Sequence, residues 1–159
     1  MAADLPGSVL FCCDYNAVRS PMAEGLLKKH VGQTVFVQSA GVRNDLDIDG
    51  FAIAVCHEIG VELHRHRVRT MDEMLDWGDD LESYDLIVAL SPASQRRALE
   101  FTRFAALTVE YWPILDPTGL GETREAKLAA YRQTRDQIMA RITQRFGSPV
   151  PDDPDAGKE

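Results

Sequence analysis

The hydrophobic pattern of the chain alternates between two kinds of segment. Short runs of apolar and β-branched residues, typical of strands in a parallel sheet, are bounded by turn residues. Four such runs are present, at residues 9–12, 34–38, 85–90 and 107–111, and Ser39-Ala40-Gly41 is expected to end the second. Longer segments with apolar residues at helical spacing lie between and after them. These predicted helices span residues 20 to about 30, 51–59, a stretch beginning at Pro92, and 124–146, and residues 69–83 are expected to contain short helical turns. The predicted core positions are, in the first helix, Met22, Leu26 and Leu27; in the second, Ile53, Val55 or Cys56, and Ile59; and in the last, Leu128, Tyr131, Ile138, Ile142 and Phe146.

Strands that alternate with helices imply right-handed βαβ units and a parallel sheet. The pattern therefore predicts an α/β protein with a four-stranded parallel sheet in a three-layer α/β/α sandwich. The 159 residues correspond to one domain, which we expect to span residues 1–147 because Gly147 follows the last helical segment. Residues 148–159 are rich in Pro, Asp and Gly and are expected to form a disordered tail.

Composition and charge exclude several classes of protein. No apolar run approaches the roughly 18 residues of a membrane span, and the first residues do not resemble a signal segment. The net charge of −8 argues against nucleic acid or a membrane surface as a partner. Three cysteines, two of them adjacent, do not form a secreted disulfide framework, so we expect a cytoplasmic protein. We find no metal-ligand spacing, Walker loop or dinucleotide fingerprint, and expect no metal and no cofactor.

Candidate chemistry is concentrated in the loop after the first strand. Cys13 and Arg19 are separated by five residues, and Ser20-Pro21 is typical of a helix start. Ser20 is expected to be the N-cap and also to donate a hydrogen bond to the Cys13 thiolate. Backbone N–H groups of such a loop and the helix dipole attract a tetrahedral oxyanion, and an arginine fork grips it. The same potential favours the thiolate form of Cys13, the candidate nucleophile. The residues predicted to bind phosphate are Asp14, Tyr15, Asn16, Ala17, Val18, Arg19 and Ser20.

The run Val9-Leu-Phe-Cys-Cys-x-x-Asn-x-x-Arg-Ser-Pro-Met-Ala-Glu24 resembles the low-molecular-weight protein tyrosine phosphatase superfamily, which also includes the thioredoxin-coupled arsenate reductases. The resemblance implies strand order 2-1-3-4 and a general acid in an Asp-Pro step after the fourth strand, which here is Asp116-Pro117. Cys13, Arg19 and Asp116 would then be the catalytic residues. Supporting roles around the loop are implied for Asn16, Ser20, Ser39 and His66.

Parts of the chain depart from the phosphatase pattern. Thr118-Gly119 follows Asp116-Pro117 where the phosphatases usually carry aromatic residues. A substrate ring would then have to be held by Tyr15, Phe51 or Trp77. Residues 116–138 resemble the C-terminal half of the arsenate reductases, but the resolving cysteines of those enzymes are missing.

Three functions are consistent with these residues. The main hypothesis is a cysteine-dependent phosphatase that hydrolyses a phosphate monoester, with protein phosphotyrosine as the first candidate, through phosphocysteine. The alternative is an arsenate reductase that uses an external thiol donor, because a vicinal Cys12–Cys13 disulfide is strained and Cys56 lies on a separate helix. The third is a non-catalytic protein that senses phosphate or binds a partner. The expected partner is a phosphorylated protein or a small phosphate ester.

Overall fold

The computed structural model describes residues 5–102 and 107–149. Its strands are β1 (Ser8–Cys13), β2 (Phe36–Gly41), β3 (Leu86–Ala89) and β4 (Thr108–Tyr111). Its α helices are α1 (Arg19–Val31), α2 (Gly50–His57), α3 (Met71–Asp76), α4 (Pro92–Thr102) and α5 (Arg124–Phe146), and a 3₁₀ turn spans Leu81–Ser83.

The four strands form one parallel sheet with the order β2-β1-β3-β4. The predicted α/β class and strand order 2-1-3-4 are therefore confirmed. β1 is central, and its last residue, Cys13, pairs with Gly41 at the end of β2. In parallel sheets of this kind ligands bind outside the carboxyl ends of the strands. The register therefore puts the candidate nucleophile at the ligand-binding edge.

Successive residues of β1 face opposite sides of the sheet. Val9, Phe11 and Cys13 belong to the larger core, which includes residues of α1 and α5. Leu10 and Cys12 belong to the smaller core on the other face, together with residues of α3 and α4. The two adjacent cysteines are thus built into opposite layers of the sandwich.

The helical periodicity of the sequence located the buried faces of α1 and α5 accurately. In the predicted second helix Val55 and Cys56 are buried, whereas Ile53 and Ile59 are only partly buried. The predicted inner positions of α1, Met22, Leu26 and Leu27, are buried. α5 has the predicted bounds, and its predicted apolar positions are also buried: Leu128, Tyr131, Ile138, Ile142 and Phe146.

The second strand differs from its prediction. The sequence placed it at residues 34–38, ended by Ser39-Ala40-Gly41, but the strand is Phe36–Gly41 and includes those three residues. Small residues here allow a close approach of the neighbouring loop rather than a break in the strand. Of the expected C-terminal tail, residues 150–159 lie outside the described residues.

Candidate active site

A cleft of about 230 Å³ opens at the carboxyl end of β1. The loop from Cys13 to Arg19 forms its floor, Leu46–Asp49 contribute one wall, and Asp116 and Thr118 contribute another. Only 3% of the surface of Cys13 is exposed. The chemistry of the cleft is therefore restricted to groups that can enter it and reach the sulfur.

The sulfur of Cys13 has two hydrogen-bond partners at the start of α1. Ser20 Oγ lies 3.0 Å from Cys13 Sγ, and the Ser20 amide donates to the same sulfur at 3.4 Å. Hydrogen bonds of this kind stabilise negative charge on sulfur. The arrangement is suited to a thiolate nucleophile.

The prediction that Ser20 is the N-cap is wrong. The helix begins at Arg19, and Val18 occupies the cap position without a side-chain hydrogen bond. Among the described residues no acceptor is recorded for the amides of residues 14–18. The amides of this loop therefore remain available to an oxyanion in the cleft, whereas the Ser20 amide donates to Cys13 and the Met22 amide donates to the Val18 carbonyl.

Arg19 is held by the ends of two distant strands. Its side chain is 8% exposed, and Nη1 donates to the carbonyl oxygens of Leu90 at 3.2 Å and Ile114 at 3.1 Å. Nη2 lies 3.7 Å from Asp14 Oδ2 and 3.8 Å from Asp116 Oδ2. The two carbonyls fix the plane of the guanidinium, and Nη2 is the nitrogen that lies near the acidic side chains of the cleft.

Asn16 ties the loop to the rest of the protein. It is fully buried with a φ of 56°, in the left-handed region that Asn tolerates. Its Nδ2 donates to Ser20 Oγ at 2.8 Å and to Ser39 Oγ at 2.9 Å. Its Oδ1 accepts from the Arg69 amide at 3.1 Å and lies 2.9 Å from His66 Nε2. The predicted supporting residues Asn16, Ser20, Ser39 and His66 are thus brought together.

The contact with Asn16 determines which ring nitrogen of His66 carries a proton. Asn16 Oδ1 can only accept, so Nε2 of His66 must carry the proton that it donates. Burial lowers the pKa of His66 from its ordinary value, and the nearby carboxylate of Glu24 partly opposes that shift. A neutral imidazole is enough for this hydrogen bond.

Glu24 is a buried group whose role sequence reasoning missed. It accepts a hydrogen bond from Ser39 Oγ at 2.6 Å and pairs with Lys28 at 2.6 Å. Arg69 lies 3.8 Å from the same carboxylate. The signal was present in the sequence, because residues four apart share a helix face and Glu24 follows Ser20 by four.

Gly41 lets the loop pass close to the sheet. A Cβ at this position would lie 2.7 Å from the Asn16 nitrogen and 2.8 Å from the Tyr15 carbonyl carbon. The amide of Gly41 donates to the Arg69 carbonyl at 2.8 Å. The end of β2 thus supports the loop from below.

Asp116, the predicted general acid, lies at the cleft. Its Oδ1 accepts from the Thr118 amide at 3.0 Å and from Thr118 Oγ1 at 2.8 Å. Its side chain is 42% exposed. Thr118, which stands where the phosphatases usually carry an aromatic residue, therefore positions the carboxylate and leaves this wall of the cleft polar.

Of the three candidate aromatic contacts, the structure brings only Tyr15 to the cleft lining. Phe51 packs against the ring of Tyr131, with centroids 5.3 Å apart. Trp77 lies at the end of α3 with 62% of its surface exposed. The residues that line the cleft opposite Asp116 were not predicted: Leu46, Asp47 and Asp49.

Asp49 has two structural roles at this wall. Its Oδ1 caps α2 by accepting from the amides of Phe51 at 2.8 Å and Ala52 at 3.2 Å. Its Oδ2 accepts from the Tyr131 hydroxyl at 2.9 Å. Burial, with this carboxylate next in importance, raises the pKa of Tyr131. Asp49 therefore joins the cleft wall to α5.

The other two cysteines lie in apolar surroundings. Cys12 is fully buried and its sulfur contacts the sulfur of Met71 at 3.8 Å. Burial raises the pKa of Cys12, and burial raises the pKa of Cys56 to about 12. Neither side chain is arranged to act as a thiolate near neutral pH.

Two further observations concern the described parts of the chain. Within residues 5–102 and 107–149, no three His, Cys, Asp or Glu side chains are grouped so that they could hold a metal ion. No described helix has the length and apolar character that crossing a membrane requires.

The chain matches a known protein family over most of its length. The profile described as low molecular weight phosphotyrosine protein phosphatase matches residues 8–149. The chain belongs to this family. It is 30% identical to the arsenate reductase of Halalkalibacterium halodurans, over 84% of this chain and 91% of that protein.

Two other relatives differ in the activity that their names give. The glutaredoxin arsenate reductase of Synechocystis is 27% identical, over 84% of this chain and 92% of that protein. The structure of a mutant of the YwlE arginine phosphatase, with a phosphorylated active-site serine, superposes with a TM-score of 0.68. It is 26% identical and covers 86% of this chain and 91% of that one. Members of this family thus differ in reaction as well as in substrate.

Proposed function

We propose that the protein is a cysteine-dependent phosphatase that hydrolyses a phosphate monoester carried by a protein, through a phosphocysteine intermediate. The observation that carries the proposal is the Asp116 carboxyl group, held by Thr118 at a cleft whose floor holds the Cys13 thiol. Hydrolysis of an ester needs a nucleophile, an anion cradle and an acid for the leaving oxygen. Cys13, the loop with Arg19, and Asp116 would fill those three roles.

The first step transfers the phosphoryl group to sulfur. The Cys13 thiolate attacks phosphorus, the S–P bond forms, and the P–O bond of the ester breaks. Asp116 gives its proton to the departing oxygen, so the product leaves as an alcohol or phenol. The guanidinium of Arg19 and the free amides of the loop stabilise the oxygens of the transferring group.

The second step returns the enzyme to its starting state. Asp116, now a carboxylate, takes a proton from a water molecule that attacks phosphorus. The S–P bond breaks, phosphate leaves, and the electron pair returns to Cys13 as a thiolate. No further thiol is required for this cycle.

Arsenate reduction with an external thiol is the second candidate, and the names of the curated relatives favour it. Cys13 would displace a water molecule from arsenate and form an As–S bond. An external thiol would then attack the Cys13 sulfur, so that arsenic leaves as arsenite with two electrons and a mixed disulfide remains. A second thiol would release Cys13. The burial of Cys12 and Cys56 supports an external donor over an internal one.

One experiment separates the two functions. Wild type, Cys13→Ser and Asp116→Asn are assayed for hydrolysis of p-nitrophenyl phosphate and, in parallel, for arsenate reduction with glutathione plus glutaredoxin or with thioredoxin. We expect hydrolysis by wild type and none by Cys13→Ser. Arsenite production dependent on the thiol donor, without hydrolysis, would overturn the proposal in favour of the reductase.

A further inference from the structure

The cleft is acidic for a site that binds an anion. Among the described residues, four carboxylates line it, those of Asp14, Asp47, Asp49 and Asp116, against the single guanidinium of Arg19. A phosphate dianion that enters this space meets like charges on several sides, and the net charge of −8 adds to the repulsion. The lining therefore favours a ligand that brings positive charge with its phosphoryl group.

Two of the four carboxylates have other functions in the structure. Asp49 caps α2 and accepts a hydrogen bond from Tyr131. Asp116 is held by Thr118 as the candidate acid. Asp14 and Asp47 are the lining carboxylates that accept no hydrogen bond among the described residues, so these two are the ones left to pair with a ligand.

Asp14 follows the candidate nucleophile directly. Its Oδ2 lies 3.7 Å from Arg19 Nη2, and its Oδ1 is buried without a hydrogen-bond partner among the described residues. A buried carboxylate oxygen without a donor is unfavourable, so native proteins rarely leave one unpaired. The Asp14 side chain is nonetheless 40% exposed and lines the cleft, so its negative charge faces an entering ligand.

Asp47 is exposed and lies at the wall of the same cleft. Its neighbour two residues earlier, Asp45, is also exposed but does not line the cleft. The loop thus offers one carboxylate to a ligand and one to solvent. Substitutions of Asp47 and Asp45 can therefore be compared as a matched pair, with Asp45 as the control.

We propose that the substrate carries a cationic side chain, a lysine or arginine, next to its phosphorylated residue, and that Asp14 and Asp47 select it. This inference rests on the proposed phosphatase function and specifies its substrate class: phosphorylated segments with an adjacent basic residue. The scarcity of aromatic side chains in the lining agrees with selection by charge. The basic group pairs with the carboxylates while the phosphoryl group meets Cys13 and Arg19.

The test uses phosphotyrosine peptides of one sequence with Arg, Gln or Glu on either side of the phosphorylated residue. Wild type should show a kcat/KM for the Arg peptide roughly 10-fold above that for the Glu peptide, as two partly screened ion pairs would give. Asp47→Asn should reduce that ratio about 2- to 5-fold, the effect of one exposed pair. Asp45→Asn should leave the ratio and the basal rate unchanged.

A binding measurement supplies a second readout. The same peptides are titrated against Cys13→Ser and against Cys13→Ser combined with Asp14→Asn, with folding checked by circular dichroism. The Arg peptide should bind more tightly than the Glu peptide to the first protein, and this preference should shrink in the second. If Asp14→Asn does not fold, the Asp47→Asn ratio decides the question.

The two proposals fail in different ways. Hydrolysis of all three peptides at equal kcat/KM, or a ratio that Asp45→Asn lowers as much as Asp47→Asn, would overturn the charge selection and leave the phosphatase intact. Absence of hydrolysis of p-nitrophenyl phosphate and of every peptide would overturn the phosphatase. A preference for the Glu peptide would also contradict the inference.

Discussion

Asp116 is the residue whose substitution tests the proposed acid catalysis most specifically. The carboxyl group is fixed by two hydrogen bonds from Thr118 and faces a cleft with the Cys13 thiol at its floor. Asp116→Asn removes the proton for the leaving oxygen while it keeps the shape of the side chain. We expect hydrolysis of an alkyl phosphate to fall by about 10²–10⁴-fold, because general acid catalysis has that size.

The loss should depend on the leaving group. Nitrophenolate departs without a proton, so the burst of nitrophenol that reports the first step should be much less affected than alkyl phosphate hydrolysis. Asp136→Asn, an exposed acidic residue of α5, is the matched control. An equal loss for both substrates would assign the acid to another residue.

His66 gives the protein a predictable response to acid. Burial lowers the pKa of His66, so below its ordinary value of about 6.5 the unfolded chain takes up a proton that the folded protein resists. The free energy of unfolding should therefore fall as the pH drops below about 6.5 and through the lower pKa of the folded state. His66→Gln keeps an N–H donor for Asn16 but removes the titration.

The measurement is urea unfolding at pH 7.5, 6.5 and 5.5. His66→Gln should lose less stability between pH 7.5 and pH 5.5 than wild type. His64→Gln, which changes an exposed histidine two residues away, should follow the wild-type curve. Parallel curves for wild type and His66→Gln would contradict the prediction.

At the scale of elements, the end of β2 and the loop after β1 are built against each other. A Cβ at Gly41 would collide with the backbone of the loop, because it would lie only 2.7 Å from the Asn16 nitrogen. Gly41→Ala should therefore lower the free energy of unfolding by about 1–3 kcal/mol, the usual effect of overpacking. It should also lower kcat, because the loop that holds Cys13 and Arg19 must shift.

Gly50→Ala is the control for that substitution. Gly50 begins α2, and a Cβ there would meet nothing within 4 Å. Alanine also favours helix over glycine. Both variants are compared with wild type by urea unfolding, in which Gly50→Ala should leave the free energy of unfolding unchanged or slightly higher. Equal effects of the two substitutions would show that close approach is not what Gly41 provides.

The accuracy of the predictions made from the sequence differs from one element to the next. Regular patterns with a strong period, such as the apolar spacing of α5, gave correct bounds. Ser20 was expected both to cap α1 and to contact Cys13. The contact is present, but the cap is not, because a serine at a helix start is a sensible cap locally and here its hydroxyl is engaged by Cys13 and Asn16. The extension of β2 through Gly41 failed for the same kind of reason, since local propensity does not register a neighbouring loop.

At the scale of the whole molecule, the cleft depends on contacts that no local pattern reports. Arg19 reaches the carbonyl oxygens of Leu90 and Ile114, which are 71 and 95 residues away along the chain. The nucleophile loop could be predicted because a motif marks it, and the place of Asp116 because the family resemblance implies an acid in an Asp-Pro step after the last strand. The wall at Asp47 and Asp49 could not, because an acidic loop before a helix is equally typical of a solvated surface.

The distribution of the three thiols leads to a prediction for the whole molecule. Cys12 and Cys13 are adjacent in β1 but belong to cores on opposite faces of the sheet, and Cys56 is buried in α2. Iodoacetamide should therefore modify one thiol in the folded protein, Cys13, and all three in denaturant. Saturating inorganic phosphate should slow the reaction of Cys13, because phosphate would occupy the same cleft.

Intact-mass and peptide analysis of the alkylated protein check this prediction, with Cys13→Ser as the control that should remain unmodified while folded. The same separation of thiols bears on the choice between hydrolysis and reduction. After exposure to arsenate without an added thiol, no disulfide within the chain should form, because the sheet separates Cys12 from Cys13 and packing encloses Cys56. Modification of Cys12 or Cys56 at the rate of Cys13 would contradict the prediction. An arsenate-dependent disulfide within the chain would instead support an arsenate reductase whose own second cysteine resolves the intermediate.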